Sequence, residues 1–213
     1  MKRNDITKAL EKAICRNHSG KMSGMISLST SPLNPICEAR AKDKNSICSK
    51  CYSITMQKRY TTLGQKLLSN ADLLSREVYK VDDMPKVNAL VFRLEAFGDL
   101  TNTNQVKNYF NLCKANAFVK FALWTKNPSF VAKVLEEGEE KPNNLVIIYS
   151  SPFVNAKADI KGKYPFVDKV FTVYTKDFAE ANNISINCGA KQCLTCLLCY
   201  LDNETYFINE LLK

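Results

Sequence analysis

The first regular pattern along the chain is an amphipathic stretch from Ile6 to Ile14, with apolar residues at helical intervals, and it predicts an opening helix. Met22 to Ser29 alternates well enough to predict a first strand. Residues 30–56 lose this periodicity and are rich in Ser, Pro, Asn and Lys, which predicts a long loop; loops of that length are usually functional. Gln57 to Tyr79 carries Leu63, Leu67, Leu68, Leu74 and Val78 at helical spacings. Ala89 to Leu94 predicts a strand, and Asn104 to Ala115 a helix opened by Thr and Asn caps. Phe118 to Thr125 reads as a strand, and Pro128, at a first helical position, starts a helix over Ser129 to Glu137. Leu145 to Ser150 and Val167 to Tyr174 are continuous apolar runs of the buried-strand kind, the second followed by a short helix around Asp177 to Ala181. Ile184 to Asn187 predicts a last strand that delivers Cys188, and Tyr206 to Leu212 closes the chain.

Strands alternating with helices predict a parallel α/β sheet. With several such units in one chain, the expected closure is a partial or incomplete (β/α) barrel, with an open doubly wound sheet as the alternative. Either places ligands at the C-terminal ends of strands, and both cysteine groups described below fall after candidate strands. The 213 residues are expected to form a single domain over 1–213, with an N-terminal helix in 1–20 and a cysteine-rich loop at 188–200. Hydrophobic content of 46% and charged content of 24% are ordinary for a globular chain. The basic N-terminus lacks the apolar segment of a signal peptide, and no stretch approaches the roughly eighteen apolar residues of a membrane span. A cytoplasmic location with reduced thiols is therefore expected, and no membrane partner.

Reduced thiols change what nine cysteines mean. Four of them, Cys188, Cys193, Cys196 and Cys199, read C-x4-C-x2-C-x2-C, and the last three repeat the rhythm that wraps iron–sulfur clusters. Zinc is the alternative, although structural zinc usually pairs two C-x2-C knuckles across a longer spacer; unligated thiols are the third reading. Lys191 and nearby amides could donate to cluster sulfurs, and ligation is expected to order a loop with little apolar content of its own. An upstream group, Cys37, Cys48 and Cys51, reads C-x10-C-x2-C. Three thiolates are what a [4Fe-4S] cubane needs if one iron is to stay open for a substrate or S-adenosylmethionine. The usual radical-SAM spacing is C-x3-C-x2-C, of which only the final C-x2-C stands here, followed by Tyr52. One cluster drawing on both groups, or plain burial of small hydrophobes, would also explain these three. Cys15 and Cys113 lie in helix-like segments and are expected to pack in the core. His18, the one histidine, is expected in a surface turn.

The net charge of +9 is carried entirely by residues 1–80, with 15 Lys and Arg against 6 Asp and Glu; the remainder holds 15 of each. That surplus could offset a thiolate-bound cluster and an anionic ligand, with Lys42, Lys44 and Lys50 beside the upstream cysteines, or it could face nucleic acid. No RNA-binding motif, helix-turn-helix or Walker loop supports the second, so nucleic acid is not the favoured partner; a G-x-S-x-G elbow is also lacking. Polar residues at candidate strand ends complete the inventory. Arg93 and Glu95 share a strand face by two-residue periodicity, and Asp99 follows at a Gly98-Asp99 turn. Glu95 and Asp99 could hold an amino group or ribose hydroxyls, or Asp99 could simply cap a helix. Thr125, Lys126 and Ser150 stand at other strand ends as further ligand candidates.

In this order the motifs resemble the phage gene-product-eighty-eight-like family, related to radical-SAM-like barrel proteins. The matching stations are Leu28-Ser29, Cys48-Ser-Lys-Cys51-Tyr52, Arg93-Leu-Glu95-Ala-Phe-Gly98-Asp99, Ala122-Leu-Trp124-Thr125-Lys126, Ser150-Ser151 and the run from Cys188 to Cys199, across residues 21–200. The ten-residue spacer after Cys37 departs from the family's tighter pattern. The resemblance implies a barrel-like fold, phage or mobile-element origin and an iron–sulfur site. Three functions follow as expectations: a radical-SAM-like iron–sulfur enzyme with one or two clusters; a non-catalytic redox or cluster carrier with an electron donor as partner; or a zinc-stabilised nucleic-acid-binding protein.

Overall fold

The computed structural model describes residues 3–212, so residues 1, 2 and 213 of the expected domain lie outside the described residues. Among the described residues seven strands form one sheet in the order β1-β2-β3-β4-β5-β6-β7, which is also their order along the chain. They are β1 Cys15–Arg16, β2 Ile26–Leu28, β3 Val91–Leu94, β4 Lys120–Thr125, β5 Leu145–Ser150, β6 Lys169–Tyr174 and β7 Phe207–Leu211. Only β1 runs antiparallel to its neighbour; β2 to β7 are parallel throughout.

The helices are α1 Arg3–Ala13, α2 Pro35–Lys42, α3 Tyr52–Arg59, α4 Thr61–Arg76, α5 Thr103–Ala115, α6 Pro128–Glu136, α7 Lys176–Ala181 and the single turn α8 Cys193–Cys196. Side chains of α1, α4, α5 and α6, such as Leu10, Leu74, Tyr109, Phe110 and Val131, share one core with Phe92, Leu94, Phe121, Leu123 and Ile147 of the strands. Sequential strand order with these helices on one face is how the wall of a (β/α) barrel is wound. A doubly wound sheet would reverse its strand order and put helices on both faces. The sheet nonetheless has two edges, β1 and β7, so it is an open wall and not a closed barrel.

The opposite face has its own core. Strand residues of the other parity, including Val91, Ala122, Ile148, Phe171, Val173 and Ile208, meet Met25 and Tyr200, with Trp124, Cys188, Cys193, Leu197 and Cys199 packed on them. The C-terminal cysteine segment thus covers this face in place of a helix layer.

Four expectations need correction. Residues 30–56 are not irregular: Asn34 caps α2 by accepting from the amides of Ile36 and Cys37 at 3.1 and 2.9 Å, with Pro35 at its first turn. The long helix expected over 57–79 is two, α3 and α4, broken at Tyr60, whose backbone is extended. Ile184 to Asn187 is not a strand. Asn183 takes a left-handed conformation after α7, and the amides of Asn187 and Cys188 both donate to Asn209 O of β7. The side chains of Asn187 and of Asn209 on β7 stand in for a ladder, Asn187 Nδ2 donating to Phe207 O at 2.9 Å and Asn209 Nδ2 to Ser185 O at 2.9 Å. Cys15, finally, lies on edge strand β1 and only partly buried, whereas Cys113 is fully buried as expected. Among the described residues no helix is long and apolar enough to cross a membrane.

Candidate functional site

Strand ends β2, β3, β4 and β5 place a row of buried polar residues along the C-terminal rim: Ser29, Thr30, Ser31, Glu95, Asp99, Thr125, Ser150 and Ser151. Glu95 does not share the face of Arg93. Its φ of 57° turns the chain at the end of β3 and sends its carboxylate towards the helix layer. There it accepts from Thr30 N and Oγ1 at 3.2 and 3.0 Å and from Gln105 Nε2 at 2.6 Å, with a short bond from the Tyr109 hydroxyl. Burial raises its pKa from 4.5 to about 8, more than the hydrogen bonds from Tyr109 and Thr30 can lower it. Gly98, at φ +71°, lets the turn close onto Thr30; a Cβ there would stand 2.5 Å from Thr30 O.

Asp99 is the hub of the rim. It accepts from Thr125 Oγ1 at 2.6 Å, Lys126 N at 3.0 Å and Arg40 Nη1 at 3.2 Å. Arg40, on α2, also donates to Lys126 O at 3.0 Å and to Asn127 Oδ1, so it fastens α2 to the ends of β3 and β4. Lys126 Nζ reaches Ser150 Oγ at 3.1 Å. The upstream cysteines ride on this rim. Ile47 N donates to Pro152 O at 2.8 Å, and Tyr52 Oη to Ala96 O at 2.9 Å. Cys37 lies close enough to sense Asp99 and Cys48; burial first, and the Asp99 carboxylate second, push its thiol up to about 12.

The downstream group lies elsewhere. The α8 turn meets the 3₁₀ turn Gly20–Met22 ahead of β2, Tyr200 Oη bonds Met25 Sδ at 3.0 Å, and Lys169, at the start of β6, feels the charge of Cys199. Cys193 to Cys199 therefore lie over the second face beside the turn that precedes β2, Cys188 lies against Asn209 of β7, and none of the four joins the row of polar residues at the C-terminal rim. Nor is the segment poor in apolar contacts: Leu197 and Leu198 pack on the core and Tyr200 is buried.

Among the described residues, no three His, Cys, Asp or Glu side chains are gathered to hold a metal ion. The downstream cysteines come into one another's range all the same: Cys199 senses Cys188, Cys193 and Cys196, and burial pushes it up to about 12. Burial likewise raises Cys188 and Cys193. Cations adjoin them. Lys21 Nζ donates to Cys188 Sγ at 3.1 Å and pairs with Glu210 at 3.0 Å; burial opposes its charge, but these two partners outweigh burial and raise its pKa. Arg93 bears on Cys193 and Cys199, and its guanidinium stacks 4.2 Å over the Trp124 ring. Arg93 Nε and Trp124 Nε1 are buried donors without a partner among the described residues. A set of four sulfurs with adjoining cations and unspent N–H donors fits an anionic thiolate cluster in its chemistry.

Of the residues expected at the site, Asp99, Thr125, Lys126 and Ser150 form one network on the rim, with Cys37 beside Asp99 and Cys48 in range of Cys37; Cys51 stands at the start of α3, and Glu95 turns away to the helix layer. On the second face Cys188, Cys193, Cys196 and Cys199 come within range of one another, with Arg93 bearing on Cys193 and Cys199. Lys191 is exposed, and no hydrogen bond from it to these thiols is seen. Sequence reasoning missed Arg40, Lys21 and Lys169; the Asn34-Pro35 helix start would have placed Arg40 on a helix, but nothing local pairs it with Asp99. No curated protein and no solved structure matches the chain significantly. The family model described as gene product 88 matches residues 3–206, nearly the whole chain, with both cysteine groups and the rim inside the match. The chain belongs to the gene product 88 family.

Proposed function

We propose that this protein binds an iron–sulfur cluster through Cys188, Cys193, Cys196 and Cys199. The observation that carries the reading is four thiols of one short segment brought within electrostatic range of one another on the second face, beside Lys21, Arg93 and Lys169. Thiols so close cannot all ionise unless cationic charge offsets them, and iron would supply most of it. A bound cluster supplies one-electron transfer at a potential set by ligands, hydrogen bonds and burial. The chain's own part is to exclude water with Leu197, Leu198 and Tyr200, and to hold Lys21 on the Cys188 sulfur. Protein purified without oxygen should contain iron and acid-labile sulfide and absorb broadly in the visible. A colourless protein holding zinc and no sulfide would overturn the reading.

A finer reading makes the protein a radical-SAM-like enzyme, and one observation favours it. The loop bearing Cys37, Cys48 and Cys51 lies over the polar rim, where sheets wound this way take their ligands. A thiolate at Cys37 would face Asp99, with Arg40 nearby to offset it in part. Addition of S-adenosylmethionine to the reduced, iron-replete protein should alter its paramagnetic resonance spectrum, and Cys51→Ala should abolish the change. An unaltered spectrum would leave the non-catalytic carrier.

A further inference from the structure

Two buried N–H groups on the second face make no hydrogen bond among the described residues: Nε of Arg93 and Nε1 of Trp124. A buried donor left unpaired costs about 1–3 kcal/mol, and more when charged. Hydroxyls without a partner can rotate to find one. A guanidinium and an indole are donors only, so they need an acceptor brought to them. These two are also fixed in place. Arg93 stacks 4.2 Å over Trp124, and Phe171 meets Trp124 edge-on with ring centroids 4.6 Å apart. In register, Arg93 is flanked by Ser27 and Ala122, small residues that leave the space above its stem to the guanidinium. The charge of Arg93 bears on Cys193 and Cys199, which places it on the side of the sheet that the cysteine segment covers.

We propose that Arg93 and Trp124 donate hydrogen bonds to sulfur atoms of the cluster held by Cys188, Cys193, Cys196 and Cys199, and that Arg93 sets its reduction potential. This rests on the cluster reading above. Reduction adds negative charge to a cluster, so nearby donors and a fixed cation stabilise the reduced state and raise the potential. Arg93 supplies both a donor and a charge, and Trp124 a donor alone. Neither is a ligand, so their removal is expected to change the potential while leaving the iron in place.

The test is a potentiometric titration of anaerobically reconstituted wild-type protein, Arg93→Lys, Arg93→Leu and Trp124→Phe, with iron and sulfide counted in each. The potential should fall from wild type to Arg93→Lys, which keeps charge but loses the Nε–H and the flat stack, and further in Arg93→Leu. Trp124→Phe keeps the aromatic face and should fall least. If circular dichroism shows that Arg93→Leu does not fold, the two conservative variants decide. Unchanged potentials at full iron content would overturn this inference and leave the cluster reading standing. A wild-type protein that takes up neither iron nor sulfide would overturn both.

Discussion

The two cysteine groups end alike, in Cys51-Tyr52 and Cys199-Tyr200, yet rest on opposite kinds of ground. Tyr52 is 59% exposed above a polar rim, while Tyr200 is 3% exposed in an apolar core. On the rim, the half-buried Cys37 faces the Asp99 carboxylate; on the second face, Cys188 receives a hydrogen bond from Lys21, and Cys193 and Cys199 adjoin Arg93. Spacing says which thiols can meet. Burial opposes a thiolate on both grounds and pushes Cys37 and Cys199 alike up to about 12. What differs is the neighbouring charge, for Asp99 adds to that rise at Cys37 while Arg40 opposes it, and at Cys193 and Cys199 the nearby side chain other than cysteine that acts on both is the Arg93 cation.

The largest expected effect follows from that contrast. Cys196→Ala or Cys199→Ala should remove most of the iron and sulfide from anaerobically purified protein, whereas Cys37→Ala should leave the greater part. The fold should survive the downstream substitutions, judged by circular dichroism, because Leu197, Leu198 and Tyr200 anchor the segment without a metal. Equal loss from Cys37→Ala and Cys196→Ala would erase the distinction between the groups.

A second difference is that the rim stands on a buried acid. Glu95 titrates near 4.5 when unfolded and at about 8 when folded. The folded state therefore keeps its proton in a range where the unfolded chain has released it, and stability from this group is full below pH 4.5 and lost as pH rises towards 8. The loss should reach a few kcal/mol, at about 1.4 kcal/mol per tenfold change in the proton equilibrium. Glu95→Gln should flatten this part of the profile in denaturant titrations across the window, since Thr30 and Tyr109 hydroxyls can rotate to meet the amide. A wild-type profile no steeper than that of the variant would show Glu95 ionised in the fold.

Much of the helix layer and its strands was legible in the chain because each element carries its own signal. β5 matches its apolar run from end to end, Pro128 marks α6, and Asn102 caps α5 through the Gln105 amide at 3.0 Å. The rim was half legible. Asp99, Thr125, Lys126 and Ser150 stand at strand ends as position predicts, but Arg40 joins Asp99 across 59 residues, and no local pattern records such a pairing. Period-two reasoning failed at Glu95 because a single left-handed residue turned the face. It failed at residues 184–187 because asparagine amides can imitate strand pairing without strand periodicity.

The third prediction separates attachment from ligation. Arg40→Ala leaves Asp99 without its cation, and should destabilise the protein by about 2–3 kcal/mol, less than a fully buried pair because Arg40 is partly exposed. Residues 35–51 should then be cleaved faster in limited proteolysis, with the iron of the downstream group unaffected. Cleavage that quickens equally at residues 188–200 would mean that the two groups are held as one unit.

The smallest effects lie in the hydroxyls of the two tyrosines. Tyr52→Phe removes one hydrogen bond, to Ala96 O, from an exposed ring that keeps its contact with Phe97 at a centroid distance of 5.7 Å. Water can take over the freed carbonyl, so a loss of about 0.5 kcal/mol is expected. Tyr200→Phe removes a bond to Met25 Sδ, a weak acceptor that loses little when its partner goes, and should also cost less than about 1 kcal/mol. The phenylalanine pair is therefore nearly silent, and the alanine pair is not. Tyr200→Ala opens a cavity in the second core and should cost about 3–5 kcal/mol, against under about 1 kcal/mol for Tyr52→Ala on the surface. Measured by denaturant unfolding of the metal-free protein, the gap between the two alanine variants reads the packing beneath each cysteine group with no contribution from a cluster. Equal costs would place the downstream segment on ground as open as the rim.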